Sequence, residues 1–569
     1  WLKPAAARAR GGGALEGGAT RSLGRCGSNA QDARVAAGAP GADRRGRRPG
    51  ARCGPGLMDV FLLIFVVAII GIAVAVNIHV LFYYEEELDR RATKNIILKA
   101  IIVTSLTLTW VVTLLLPVDV RNSRPVPGPL DMQALWKAAF ITLAVFLAII
   151  VPSAMLYSEV EGDDLVKNKR RYVACYLLAV LFVCGALVAI TYPFLASADI
   201  PVTQYACGSW QDIDAVDGVI CDSAVSSSMR LSVGIDVYII AVLCFIGWFF
   251  FVVFGGIGLS AVPIDLILEF IDRPTAIDEK SYLERRRILG QAAQKLLEHA
   301  SGLQERDGKV AYKTGWRGAR QKRTVKVDYN KWRRDVNLLE DEFERLKMSK
   351  FHKGENPVVS CGKLAGGILL AIVSLLWILQ ILISVISRQI DPNAAIPFLD
   401  WIFIACESAG AYPLGVALFA AFTLYLCLCV VKGCFKFGMR IAFLFTIHPM
   451  RHKATPLNSM LFNVEMLLIS TAAVVQFAQT AFGDYARLTD ADVIFSAQIK
   501  HMTFYRWFFE NNVFIYTLLA WFVLCLLYLL CKPRDSANVQ LTNKKSDKWL
   551  AKLVGKPADP PADSTCTKA

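Results

Sequence analysis

Four carboxylates in apolar surroundings are the first residues whose placement suggests chemistry. Glu465 falls inside a long apolar block, Glu407 near the start of another, and Asp119 and Asp236 near block ends. An ionisable group within a membrane span is costly and marks a functional pathway unless neighbours satisfy it. Two readings of Glu465 are equally open. One is cation binding or proton relay. The other is a carboxylic acid hydrogen-bonded to Gln476, Gln479 or Asn463. For the other three acids the hydrogen-bonded reading is expected.

The chain has 15 cysteines and 6 histidines, with no HExxH, Walker A or paired CxxC pattern. That argues against metal, nucleotide-hydrolysis and dithiol chemistry, so no catalytic residue, metal or cofactor is expected and the chain reads as non-enzymatic. Cys175, Cys184, Cys244, Cys427, Cys429 and Cys525 lie within apolar blocks and read as small packing residues. Cys361, Cys434 and Cys531 sit near block ends, where palmitoylation competes with simple packing. Cys207 and Cys221 are the two cysteines of one loop, 14 residues apart, and a disulfide is expected there if the loop is exofacial. The stretch Gly256-Ile257-Gly258-Leu259-Ser260-Ala261 matches a dinucleotide-binding pattern. It ends an apolar block instead of following a strand, so close helix packing is the expected role. No Asn-x-Ser/Thr sequon occurs.

Apolar residues make up 55 % of the 569-residue chain and charged residues 19 %. A soluble chain is less apolar and more charged, and a disordered one lacks apolar residues to bury. The apolar residues are blocked. About 20 are needed to cross a bilayer, and nine blocks qualify: 59–83, 96–116, 134–157, 172–196, 237–260, 363–387, 409–432, 457–482 and 512–531. The sequence thus predicts an all-α polytopic membrane protein with nine transmembrane helices. Pro117, Pro152 and Pro263 are expected to kink or end helices. The domain reading is an extension at 1–57, spans 1–5 in 58–262, a loop at 263–361, spans 6–9 in 362–531 and a disordered tail at 532–569.

Of the net charge of +14, residues 1–57 hold +8, from 11 Lys/Arg against 3 Asp/Glu. That stretch is Arg-, Ala- and Gly-rich without an apolar stripe and reads as disordered or non-native. The total is therefore no nucleic-acid footprint. Lys and Arg concentrate after spans 1, 3 and 7, which predicts an exofacial N-terminus and a cytosolic loop after span 5. Aromatics at 504–509 suit a membrane–water interface. Residues 271–350 carry 20 Lys/Arg and 13 Asp/Glu. Tyr282, Leu289, Leu296 and Leu303 recur at seven; Tyr329, Trp332, Val336, Leu339, Phe343 and Leu346 alternate at three and four. Such spacing predicts a cytosolic antiparallel helical hairpin. Turn signals at Asp307-Gly308 and Thr314-Gly315 set off a basic linker with Arg317, Arg320, Lys322, Arg323 and Lys326. That linker is either an ordinary solvated surface or a contact to anionic headgroups. Lys436, Phe437, Arg440, Ile441 and Phe445 predict a short interfacial helix ended by Pro449.

The run FLFTIHPMRHKATPLNSMLFNVEMLLISTAAVVQFAQTAFGDYA from Phe443 to Ala486 resembles the LIMR family of lipocalin-interacting membrane receptor and limb-region proteins, most closely its plant and protist branch. FGGIGLSAVPIDLILEFIDRP from Phe254 to Pro274, LLPVDV at Leu115 to Val120, and Val151, Pro152 and Tyr157 are similar too. The resemblance covers about residues 58–535. Its signature positions here are Gly255, Gly256, Pro263, Pro274, His448, Pro449 and Asn463. It implies nine spans, a long cytosolic loop and no catalytic motif. Functionally it implies receptors for lipocalins, aids to cobalamin export, or regulators of trafficking and signalling. The expected function is a non-enzymatic receptor or trafficking adaptor, with the bilayer, protein partners through 271–350 and a lipocalin-type or small-molecule ligand as partners. The alternative is a small-molecule transporter or transport accessory, supported by Glu465. The plasma membrane and an endomembrane (endosome, lysosome, vacuole or ER) are both compatible with the sequence.

Overall fold

The structure is a computed structural model that describes residues 57–86, 95–123, 130–161, 168–206, 223–311, 315–351, 354–390, 396–409, 412–437, 439–441, 445–447, 449–531 and 543–554. Among them, nine helices are long and apolar enough to cross a membrane. They are α1 (Leu57–Tyr84), α2 (Ile96–Ser123), the composite α3–α4 (Met132–Val145 and Val151–Glu161), α5 (Lys169–Leu195) and α6 (Ile235–Ile271). After α7 (Glu279–Ala311) and α8 (Gly315–Phe351) follow α9 (Pro357–Gln380) with α10 (Ser387–Ile390). Next come α11 (Phe398–Ser408), α12 (Tyr412–Lys436), α13 (Leu457–Ala481), α14 (Asp490–Asp492), α15 (Arg506–Glu510), α16 (Val513–Cys531) and α17 (Asn543–Val554). π-helical turns at Phe146–Ile150 and Ile381–Ile386 interrupt spans 3 and 6, and a third follows α14 at Val493–Ile499.

The spans organise around α6. It packs against α9, α12, α13 and α16. Backbone approach is closest where glycine removes the side chain. Gly258 faces the Cys429 backbone and Gly433 faces the Phe254 backbone, so α6 and α12 interlock reciprocally. Gly247 meets the Ile469 backbone of α13, and Gly256 meets Trp521 of α16. Membrane helices gain by such small-residue packing, because lipid offers no hydrophobic drive for association. The GxGxxA stretch is therefore helix interior, as its context required. Aromatic rings fill the remaining space: Trp377 stacks on Phe477 at 5.5 Å between centroids, and Phe482 meets Phe403 and Phe419 edge-on or tilted. By contrast, no residue of α5 is buried, and Cys175 and Cys184 lie exposed along it. The packing role expected of those two thiols is thus absent. Cys244, Cys427 and Cys429 are buried. Cys434, expected at an accessible span end, is buried as well, its Sγ donating to the Asn463 carbonyl at 3.5 Å.

Pro117 and Pro263 lie inside α2 and α6, which continue past them. Pro152 follows the π turn, where the Val151 N–H bonds back to the Phe146 carbonyl. None of the three ends its helix.

At one end of the bundle, α7 and α8 form the antiparallel hairpin. Tyr282, Leu289, Leu296 and Leu303 are all buried along its seam, with Leu346 opposite. Tyr329 and Phe343 turn outward instead, and Trp332 donates to the Leu296 carbonyl at 2.8 Å. Gly308 lies within α7, not in a turn, and the residues read as a basic linker are the first turns of α8. Helix α17 closes the base, its Leu550 buried against Tyr282, Leu289, Ala292 and Leu346.

The segment read as an interfacial helix is a β-ribbon. Lys436 ends α12, and strands β3 (Met439–Ile441) and β4 (Phe445–Ile447) pair antiparallel, Met439 opposite Ile447. The spacing of four between Lys436 and Arg440 bridged two elements, and β-branched and aromatic residues favour the strand. At the other end, strands β1 (Ser197–Ala206) and β2 (Ser223–Ser232) form a second ribbon after α5. Its last pair is Ala206 opposite Ser223. Cys207 and Cys221, and the disulfide expected of them, lie outside the described residues, as does His448.

Candidate functional site: a buried carboxylate layer

Asp119 ends span 2 with its side chain fully buried. Its Oδ2 accepts from Trp136 Nε1 at 2.8 Å and from the Ala491 N–H at 2.8 Å; Oδ1 accepts from the Asp490 N–H at 3.3 Å. A carboxylate at a helix N-terminus meets N–H groups with no partner inside the helix. Asp119 thus ties span 2 to span 3 and to α14, which lies some 370 residues further along the chain. Asp236 pairs with Lys137 at 2.9 Å. For both acids the hydrogen-bonded expectation holds.

A second acid, not singled out in the sequence, does comparable work. Asp400 of α11 is fully buried, accepting from Gln380 Nε2 at 2.7 Å and from the Tyr485 N–H at 2.9 Å. Gln380 Nε2 also reaches the Ala481 carbonyl at 2.8 Å. Burial pushes the Asp400 carboxyl up to about 6, against the pull of the bonds from Tyr485 and Gln380. Gln380 immediately precedes the π turn of span 6, and such turns cluster at functional positions. Glu407 belongs to the separate helix α11, not to span 7, and accepts from the Tyr485 hydroxyl at 2.5 Å.

The segment 482–512 covers this layer. Gln479 Nε2 donates to Asp492 Oδ1 at 2.8 Å, and Gln479 Oε1 accepts from Ser496 at 3.0 Å. Arg388 pairs with Asp484 at 2.7 Å. Glu510 receives His501 Nδ1 and Arg506 Nε, each at 2.8 Å. Burial opposes ionisation of Glu510, yet those two bonds leave its pKa below the usual range. Burial also lowers the pKa of His501. The β1–β2 ribbon hangs from the same segment: the Asp199 N–H bonds to the His501 carbonyl at 3.0 Å, and the Thr503 N–H to the Ser197 carbonyl at 2.9 Å. The aromatics expected at the interface are partly internal here. Tyr505, Phe508 and Phe504 pack on Phe245, while Trp507 stays exposed.

Glu465 stands apart. It is half-buried in α13 and makes no hydrogen bond or ion pair among the described residues. Two of its expected partners are committed elsewhere: Gln476 accepts from Trp248 Nε1 at 2.8 Å, and Gln479 joins the layer above. Asn463, two residues earlier and so on another side of the helix, is fully buried. The hydrogen-bonded alternative for Glu465 is therefore not met by these partners. Among the described residues, no group of three His, Cys, Asp or Glu could hold a metal ion. Other signature positions lie within helices or at their junctions. Gly255 and Gly256 lie in the α6 interior, Pro449 precedes α13, and the Pro274 carbonyl accepts from the Glu355 N–H at 3.2 Å at the hairpin base. There Gly354 adopts φ +102°, a conformation that glycine tolerates best.

The hairpin end is held by ion pairs. Asp265 of α6 receives Lys436 at 2.6 Å and Lys432 at 3.2 Å. Lys363 bridges Glu355 at 2.7 Å and Glu269 at 3.6 Å. Lys99 meets the wholly buried Glu85 side chain at 2.6 Å. Helix α8 is pinned to the span ends by Arg333–Glu86, by His452–Asp341 at 3.4 Å and by Lys453–Glu344 at 3.8 Å.

These features define a multi-pass α-helical membrane protein whose polar groups mainly hold its own helices together. The chain belongs to the LMBR1-like membrane protein family, whose model matches residues 58–329 and 342–532. It is 31 % identical over 521 residues to a LIMR family protein of Dictyostelium discoideum, covering 84 % of this chain and 99 % of that one. It is 28 % identical over 485 residues to a LIMR family protein of Arabidopsis thaliana, with 81 % and 93 % covered. A LIMR family protein of rice matches at 28 % over 525 residues, with 84 % and 99 % covered. No solved structure matches the chain.

Proposed function

We propose that the chain is a non-enzymatic membrane receptor or trafficking adaptor, with the hairpin on the cytosolic side and the β1–β2 ribbon facing outward. The observation that carries this reading is the bracing of α8 against two span ends, that of α1 through Arg333 and that of α13 through Asp341 and Glu344. A braced hairpin transmits the position of the spans to a cytosolic partner. The interlocked glycines of α6 and α12 support it further, since they hold the bundle centre in close contact. A lipocalin-type or small organic ligand is the class proposed for the outer face.

The alternative is a transporter or transport accessory, favoured by the unpaired carboxyl of Glu465. Flux through reconstituted liposomes separates the two. The receptor reading expects no carrier-mediated flux of cobalamin or organic acids, and equal behaviour of wild type and Glu465→Gln. It also expects Asp341→Lys, which reverses one brace, to impair ligand uptake by cells at unchanged surface abundance. Flux that depends on Glu465 would overturn it.

A further inference from the structure

Helix α8 does not project from the bundle; it lies across its end. Near its C-terminus, Arg345 donates to the Asp272 carbonyl at 3.4 Å, and the Gly354 N–H returns to the Met348 carbonyl at 3.1 Å beside the end of α6. Further back, Glu344 and Asp341 meet Lys453 and His452, just ahead of α13. Further still, Arg333 meets Glu86, just past the end of α1. Those three span ends lie at one face of the membrane, so a helix touching each in turn runs along that face.

The helix then continues past α1. At 1.5 Å per residue, residues 317–326 lie roughly 10–24 Å beyond Arg333 along the helix axis. Residues 312–327 contain six Lys or Arg and no Asp or Glu. Arg320, Lys322 and Arg323 are exposed and make no ion pair among the described residues. In the half of α8 against the spans, by contrast, Arg333, Arg345 and Lys350 pair with Glu86, Glu342 and Glu279. On α7, facing this stretch, Glu305 is taken by Lys309 at 2.6 Å.

We infer that the outer half of the hairpin, residues 317–326, is a docking surface for the anionic headgroups of the leaflet beside α1. Arg320, Lys322 and Arg323 have no acidic partner among the described residues, and the brace along the span ends keeps this stretch close to headgroup level. Basic juxtamembrane clusters are drawn to anionic lipid and released by salt. The surface is independent of whether the protein is a receptor or a transporter.

The test uses the full chain in nanodiscs, with a photo-crosslinking amino acid at the exposed Thr324. The comparison is phosphatidylcholine alone against phosphatidylcholine with phosphatidylserine. Lipid adducts at 324 should rise several-fold with phosphatidylserine and fall back in high salt. They should also fall back when Arg317, Arg320, Lys322, Arg323 and Lys326 are changed to Gln. Hydrogen exchange at 333–345 reports that the hairpin is still seated in that variant. Adduct yields indifferent to phosphatidylserine and to the Gln substitutions overturn the inference. So does capture of an acidic protein at 324, in place of lipid, in native membranes.

Discussion

Both ends of the bundle carry ion pairs, among them Arg388–Asp484 and Arg506–Glu510 at the ribbon end, but the acids that matter most at each end are held by different physics. At the ribbon end, Asp119 and Asp400 are fully buried and spend their oxygens on backbone N–H groups and on Trp136 and Gln380. At the hairpin end, most of the acids are partly exposed and spend theirs on Lys, Arg and His side chains. A buried acceptor is expensive to remove, because its donors are left orphaned. A solvated ion pair is worth little and weakens in salt. One end is thus a fixed cap and the other an adjustable seat.

The largest expected effect tests the cap. Asp119→Ala would orphan the indole N–H of Trp136 and two backbone N–H groups of α14, at a cost of about 3 kcal/mol. A clear drop in melting temperature in detergent should follow; an unchanged melt would mean the cap is not structural. Next comes pH. The Asp400 pKa is raised from the model-compound value of 3.8 to about 6, so folding favours its protonated form. That contribution is complete below 3.8 and is lost as pH rises through about 6. Stability of the ribbon end should therefore improve on acidification from neutral to about pH 5, by about 1.3 kcal/mol. Melting curves of Asp400→Asn should lack that slope. The smallest effect belongs to the seat. Arg333→Gln should cost about 0.5–1 kcal/mol. High salt should speed hydrogen exchange in α8 while leaving residues 484–492 protected. Equal salt sensitivity at both ends would erase the distinction.

Much of this was readable in the chain. Hydropathy finds spans regardless of tertiary contacts, and the heptad spacing of Tyr282, Leu289, Leu296 and Leu303 marks a seam that is buried throughout. The carboxylate layer was less legible because its bonds join residues far apart in sequence: Asp119 with Ala491, Asp400 with Tyr485. Asp400 carries no motif, and α11 is too short to announce itself. The β1–β2 ribbon escaped because β2 reads Ser-Ala-Val-Ser-Ser-Ser-Met-Arg-Leu-Ser, where the apolar alternation of Val225, Met229 and Leu231 is broken by Ser227 and diluted by serine. Its strands are set by pairing with each other and by their anchor at 501–503.

Helix α6 runs for 37 residues, about 55 Å at the usual rise, whereas the hydrocarbon core is about 30 Å thick. The excess emerges on the hairpin side, carrying Asp265 and Glu269 with it, and the hairpin base follows within a few residues. The same rod that interlocks the spans therefore also reaches the hairpin base. A few degrees of tilt in it would carry the base of α7 with it, whichever side of the bilayer the hairpin occupies.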